Sequence, residues 1–194
     1  MRLLLTGAGG FTGRHFAQAA REAGYEVHAL QADLTDAAAL AQETAAIAPT
    51  HVVHLAAISA VTHADELAFY RVNVLGTDQL LKALAALPEA PRKVLLASSA
   101  NVYGNTEQSP ITEQQPPAPA NHYAISKLAM EHVARMHVAR LPIVLARPFN
   151  YTGVGHDERF VLPKLVRHFA CRAPHIELGN LYVEREFNDV RMVT

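Results

Sequence analysis

Short apolar runs alternate along this chain with longer stretches in which apolar residues recur at helical spacing. Residues 2–5, 26–30, 51–56, 93–97 and 143–146 read as strands apolar on both faces, and 11–23, 37–48, 65–86 and 123–139 read as helices between them. Strict alternation of this kind implies right-handed crossovers, so the expected fold is α/β, a doubly wound parallel sheet covered by helices on both sides. Residues 109–120 break the rhythm. With Pro110, Pro116, Pro117 and Pro119 they cannot form a helix interior and read as a long loop. After Asn150 the pattern loosens into a helix over 160–170 and a short extended run over 176–178. The expected organisation is therefore a domain over 1–150 and, over 151–194, the truncated start of a smaller substrate-facing portion.

Composition narrows the classes. The 194 residues are half apolar, enough for one globular domain or slightly more, and disorder is not expected. A net charge of −1 without blocks of one sign gives no basic field for nucleic acid. No apolar run approaches the roughly 18 residues of a membrane helix, and the first residues enter a strand directly, so neither a membrane span nor a signal peptide is expected. Cys171 is the only cysteine, which excludes an internal disulfide and suits a reducing, cytoplasmic compartment. None of the eleven histidines falls in a metal-binding spacing; His156-Asp157-Glu158 reads as a polar loop, and no metal is expected. The sequon Asn150-Tyr151-Thr152 reads as chance.

Chemistry enters at the first strand-to-helix junction, where Leu3-Leu4-Leu5-Thr6 runs into Gly7-Ala8-Gly9-Gly10-Phe11-Thr12-Gly13. Glycines at 7, 10 and 13 allow a tight turn and close approach of a pyrophosphate, with the helix-start amides facing the phosphates. The 1–150 region is thus expected to be a dinucleotide-binding Rossmann domain. Downstream, Tyr123 and Lys127 are four residues apart and share a helix face, an ammonium beside a phenol. A positive charge there stabilises the phenolate and fits the tyrosine for proton transfer near neutral pH.

Four motifs occur in order: Thr6 to Gly13; Asn73 with Gly76-Thr77; Ser98-Ser99 before Val102-Tyr103-Gly104; and Tyr123 to Lys127. In this the chain resembles the extended short-chain dehydrogenases/reductases, in their nucleotide-sugar epimerase/dehydratase branch. The resemblance implies catalysis by Ser99, Tyr123 and Lys127: Ser99 bonded to the reacting oxygen, Tyr123 as general acid/base, and Lys127 on the nicotinamide ribose. Ser98 is then a structural neighbour, and the plain alternative for Ser99 is a strand-end cap. The resemblance also implies cofactor contacts from Gly7, Gly10, Phe11, Thr12, Gly13, Asp33, Leu34, Ala56, Ala57, Asn73, Tyr123 and Lys127. Asp33 and Asn73 read equally well as caps, and His54 as a satisfied core histidine. The strand over 26–30 has at its carboxyl end no acid for a ribose hydroxyl and no arginine for a 2′-phosphate, so NAD and NADP both stay open.

The dehydratases of this branch resemble Thr-Asp-Glu or Thr-Ser-Glu where Ser99-Ala100-Asn101 stands here. Asn101 cannot serve as a carboxylate, so dehydration is disfavoured and reduction or epimerisation remains. Arg147-Pro148-Phe149-Asn150, Phe160-Val161 with Lys164, Gly179-Asn180-Leu181 and Arg185 to Val190 are similar to GDP-mannose-processing members. That similarity implies a GDP-linked sugar held by Asn150, Lys164 and Arg185, and reduction of the C4 ketone of GDP-4-dehydro-6-deoxy-D-mannose. The alternatives are a nucleotide-sugar 4-epimerase with tightly held NAD and a catalytically silent dinucleotide-binding protein. A homodimer built on helices 65–86 and 123–139 is also implied.

Overall fold

The computed structural model describes residues 1–59, 64–179, 182 and 184–194. Asn180 and Leu181 of the Gly-Asn-Leu motif lie outside the described residues. Two compact units result, Met1–Pro148 and Phe149–Thr194.

In the first unit, five strands form a wholly parallel sheet: β1 (Arg2–Thr6), β2 (Glu26–Ala29), β3 (His51–His54), β4 (Lys93–Ala97) and β5 (Ile143–Ala146). Their order is β2-β1-β3-β4-β5, in register Leu5↔Ala29, Leu5↔Val53, His54↔Leu96 and Ala97↔Ala146. The order reverses between β1 and β3, the switch point where doubly wound sheets bind ligands at the carboxyl ends of their strands. Among the described residues β2 alone lies outside β1.

The helices are α1 (Phe11–Glu22), α2 (Ala37–Ile47), α3 (Glu66–Ala68), α4 (Thr77–Ala85) and α5 (His122–Arg135). One core cluster packs Leu4, Val52, Val94 and Leu96 against Leu40, Leu80, Leu84 and Met130; a second packs Leu3, Leu5 and Val53 against Ala17 and Ala20. Alternate residues of β1 and β3 thus serve opposite faces, the expected result of period-two strands buried twice.

The helix read over 65–86 is not uniform. Between α3 and α4, Phe69–Gly76 is π-helical, a form that sequence periodicity does not reveal. Helix α5 ends at Arg135, short of 139, and residues 136–140 are a turn that lets Arg140 donate to the Ala85 carbonyl at 2.9 Å.

In the second unit the expected extended run at 176–178 is not a strand. The strands are β6 (Asn150–Thr152) and β7 (Phe187–Asp189), paired in parallel, followed by α7 (Val190–Val193). Helix α6 spans Val161–Ala170 and buries no residue; Val166 and Phe169 are exposed. Three-residue strands without alternation leave no signal for sequence reading to find. Among the described residues no helix is long and apolar enough to cross a membrane.

Candidate active site

The glycine turn is closed by backbone packing. Gly7 has φ +70°, and a Cβ there would lie 2.8 Å from the Ala56 nitrogen; a Cβ on Gly13 would lie 2.1 Å from the Gly7 carbonyl oxygen. Neither position admits a side chain. A Cβ at Gly9 would meet nothing within 4 Å, and Gly10 begins α1 without a capping side chain. The turn is therefore packed on its inner side and open on its outer side at a helix N-terminus, a shape that fits a pyrophosphate. Phe11 and Thr12 supply the first helical amides. Ala56 and Ala57 lie half-buried just past β3.

A hydrogen-bond chain ties this turn to the centre of the molecule. The Ala56 amide donates to Thr6 Oγ1 at 3.0 Å, and Thr6 Oγ1 lies 2.7 Å from His54 Nδ1. His54 Nε2 lies 2.9 Å from Thr77 Oγ1, whose own proton goes to the Asn73 carbonyl at 2.8 Å. Thr77 must then accept from Nε2–H, so Thr6 donates to Nδ1 and the tautomer is fixed. Burial, with a smaller contribution from the Lys127 charge, lowers the His54 pKa to about 3, so the imidazole is neutral. Here His54 is a core histidine with both nitrogens satisfied.

Asn73 continues the path. Its Oδ1 accepts from the Ile58 amide at 2.9 Å, while Nδ2 donates to the Ile58 carbonyl at 3.1 Å and to Ser126 Oγ at 3.0 Å. Ser126 in turn donates to the Tyr123 carbonyl at 2.7 Å. A buried asparagine thus pins the loop after β3 against the first turn of α5.

Asn121 caps α5 by accepting from the Ala124 amide at 2.9 Å, which starts the helix so that Tyr123 and Lys127 share a face. Lys127 is 5% exposed; its Nζ lies 6.0 Å from the Tyr123 ring centroid and donates to the Ala97 carbonyl at the end of β4 at 2.8 Å. Burial lowers the Lys127 pKa to about 8, against the opposing charge of Glu131. Phe69 packs against the tyrosine at a tilt, ring centroids 6.3 Å apart. The two serines beyond β4 divide. Ser98 Oγ donates to Glu131 Oε1 at 2.5 Å, whereas Ser99 Oγ accepts from the Asn101 amide at 3.2 Å and begins the 3-10 turn Ala100–Tyr103. Ser99 therefore caps the 3-10 turn that follows β4. Its hydroxyl proton is not committed by that bond.

Glu131 is one residue that sequence reading passed over. Arg147 grips it through Nε at 2.8 Å and Nη2 at 2.5 Å, and donates from Nη1 to the Tyr103 hydroxyl at 2.9 Å. Burial works to raise the Glu131 pKa, but the bonds from Arg147 and Ser98 outweigh it and hold the carboxyl below its ordinary range. Its signal was present: position 131 extends the 123, 127 spacing by one further turn of the same face.

Leu34 is a core residue; a Cβ on Gly76 would come within 2.8 Å of the Leu34 Cβ. Asp33 accepts from the Thr35 amide at 2.7 Å and its hydroxyl at 2.6 Å, a local turn cap at the surface. Asn150, Lys164 and Arg185 all belong to the second unit. Asn150 starts β6, Lys164 donates to the Glu177 carbonyl at 2.5 Å, and Arg185 donates to the Glu184 carbonyl at 2.7 Å.

The sequence profile of the NAD dependent epimerase/dehydratase family matches residues 3–193. GDP-6-deoxy-D-talose 4-dehydrogenase of Aggregatibacter actinomycetemcomitans is 36% identical over 98% of this chain and 66% of its own length. GDP-6-deoxy-D-mannose reductase of Pseudomonas aeruginosa is 35% identical over 99% of this chain and 67% of its own. Among solved structures, RMD from Pseudomonas aeruginosa complexed with NADPH superposes with a TM-score of 0.89 at 33% identity, covering all of this chain and 71% of that one. The chain thus spans about two thirds of the length of the curated relatives it matches.

Proposed function

Since the chain belongs to the NAD dependent epimerase/dehydratase family, whose members depend on NAD(P), we propose that it reduces the C4 ketone of GDP-4-dehydro-6-deoxy-D-mannose. The observation that carries this reading is the Lys127 ammonium, buried and held beside the Tyr123 ring at the carboxyl end of β4. Its charge favours the phenolate that remains after Tyr123 gives a proton to the alkoxide forming at C4. Ser99, with its hydroxyl proton uncommitted to the capping bond, donates to the same oxygen and stabilises the developing charge. A bound reduced nicotinamide supplies the hydride. Asn101, at the position of the dehydratase carboxylate, offers no acid or base for loss of water. Asn150, Lys164 and Arg185 are assigned to the nucleotide-sugar, the two cations to its diphosphate.

The names of the two relatives support a common ketone. Talose and mannose differ only at carbon 4, so a C4 ketone is the form their 6-deoxy sugars share. Incubation with GDP-4-dehydro-6-deoxy-D-mannose and NADH or NADPH tests the reading: stoichiometric loss of reduced-cofactor absorbance with one GDP-6-deoxyhexose product is expected. Interconversion of GDP-sugars without cofactor loss would favour the epimerase reading and overturn this one. Tyr123→Phe should lower the turnover rate about 10²- to 10⁴-fold; an unchanged rate would remove Tyr123 from the chemistry.

A further inference from the structure

The carboxyl end of β2 lies beside the glycine turn, because Leu5 pairs with Ala29 and the Leu30 amide donates to the Leu5 carbonyl at 3.0 Å. No acidic side chain comes from the strand end itself, whose residues are Ala29, Leu30, Gln31 and Ala32. Instead Glu43 reaches there from α2. Its Oε1 accepts from the Gln31 amide at 2.9 Å and its Oε2 from the Ala32 amide at 2.7 Å. Two consecutive amides gripping both oxygens of one anion make a nest, and here the chain's own carboxylate fills it. The Gln31 side chain is turned back onto the Ala29 carbonyl at 2.9 Å.

The surrounding charge points the same way. From Glu22 to Tyr70, a stretch holding β2, α2 and β3, the sequence contains no lysine or arginine. It does contain Asp33, Asp36 and Glu43 between β2 and β3. A 2′-phosphate placed at the end of β2 would meet amides already taken and carboxylates without a cation from those elements. The adenosine ribose of a dinucleotide lies at this strand end in doubly wound sheets, where an acidic group accepts from the 2′-hydroxyl and an arginine accommodates a 2′-phosphate.

We infer that Glu43 selects NAD(H) over NADP(H), supplying from α2 the negative charge that the end of β2 lacks. Each of its oxygens accepts one backbone amide and retains a lone pair for a ribose hydroxyl. The inference rests on the dinucleotide reading of the glycine turn, and binding can be measured apart from turnover. Isothermal titration of the 194-residue chain with NAD⁺ and with NADP⁺ should show NAD⁺ bound about tenfold tighter, the effect of one nearby charge on a phosphate dianion. In Glu43→Gln the two dissociation constants should converge to within about threefold, mainly through tighter NADP⁺ binding, and Glu43→Ala should converge likewise. Circular dichroism checks that both variants are folded. An unchanged ratio in the folded variants, with both affinities lowered equally, would show that Glu43 only holds the loop and would overturn the inference. A parent that prefers NADP⁺ would overturn it as well. Failure of the parent to bind either dinucleotide would instead remove the reading of the glycine turn itself.

Discussion

Two buried polar clusters act on Lys127, and they meet the cost of desolvation in opposite ways. On the β3 side, Thr6, His54 and Thr77 form a neutral chain in which each donor has one acceptor. On the β5 side, Glu131 and Arg147 remain ionised, joined by two hydrogen bonds, with Ser98 and Tyr103 satisfying further valences. The neutral cluster stays uncharged partly because the Lys127 ammonium is near; the ionised one helps keep that ammonium protonated. A buried lysine at this place thus has a carboxylate on one side and an imidazole that resists protonation on the other. The ionised cluster fixes the charge at Lys127, and the neutral one fixes the shape around it.

Glu131→Gln should break the contrast most strongly. Removing one partner of a buried pair leaves Arg147 uncompensated, at about 3–5 kcal/mol, measurable by urea unfolding. The double change Glu131→Met with Arg147→Met should recover most of that loss. If Glu131→Gln unfolds at the parent's midpoint, the pair does not hold the fold.

Acid should act next, on the neutral chain. The folded His54 has a pKa of about 3 against an ordinary 6.5, so between those values the unfolded chain binds the additional proton and stability falls as pH falls. His54→Leu lacks that titration. Between pH 7 and pH 4 the parent should lose about 3 kcal/mol more than His54→Leu; parallel losses would mean that His54 is protonated in the folded state.

Alkali should act last and in the opposite sense. The folded Lys127 pKa, about 8, lies below the ordinary 10.5, so the unfolded chain binds more protons across that interval and stability rises with pH. Relative to Lys127→Met, the parent should gain about 2 kcal/mol between pH 7 and pH 10. A flat difference would place the ammonium in solvent.

Much of this was legible in the sequence because it repeats or is spaced. The five strands announced themselves as apolar runs, the glycine turn by its position after β1, and Tyr123 with Lys127 by their four-residue interval. Partnerships between distant segments were not legible. Glu131 meets Arg147 only because β5 lies beside β4 under α5, and Glu43 meets the end of β2 only because α2 doubles back along it. Ser98 and Ser99, adjacent in sequence, face different partners, a division that only the paths of β4 and α5 decide. Asp33 and Leu34 are adjacent as well, yet the side chain of one caps its own turn and that of the other is core.

The π-helical stretch Phe69–Gly76 has a consequence for the chain's evolution by length. A π turn holds one residue more than an α turn, and one residue corresponds to about 100° of rotation. The segment is therefore a phase adjuster: it presents Asn73 to the loop after β3 and to α5 while returning Leu80, Leu81 and Leu84 to the sheet. Loss of one residue within it can be absorbed by rewinding to an α-helix that keeps α4 seated. Such a deletion would keep α4 on the sheet and turn Asn73 away from Ile58 and Ser126, so one stretch of helix sets the phase of two separate contacts.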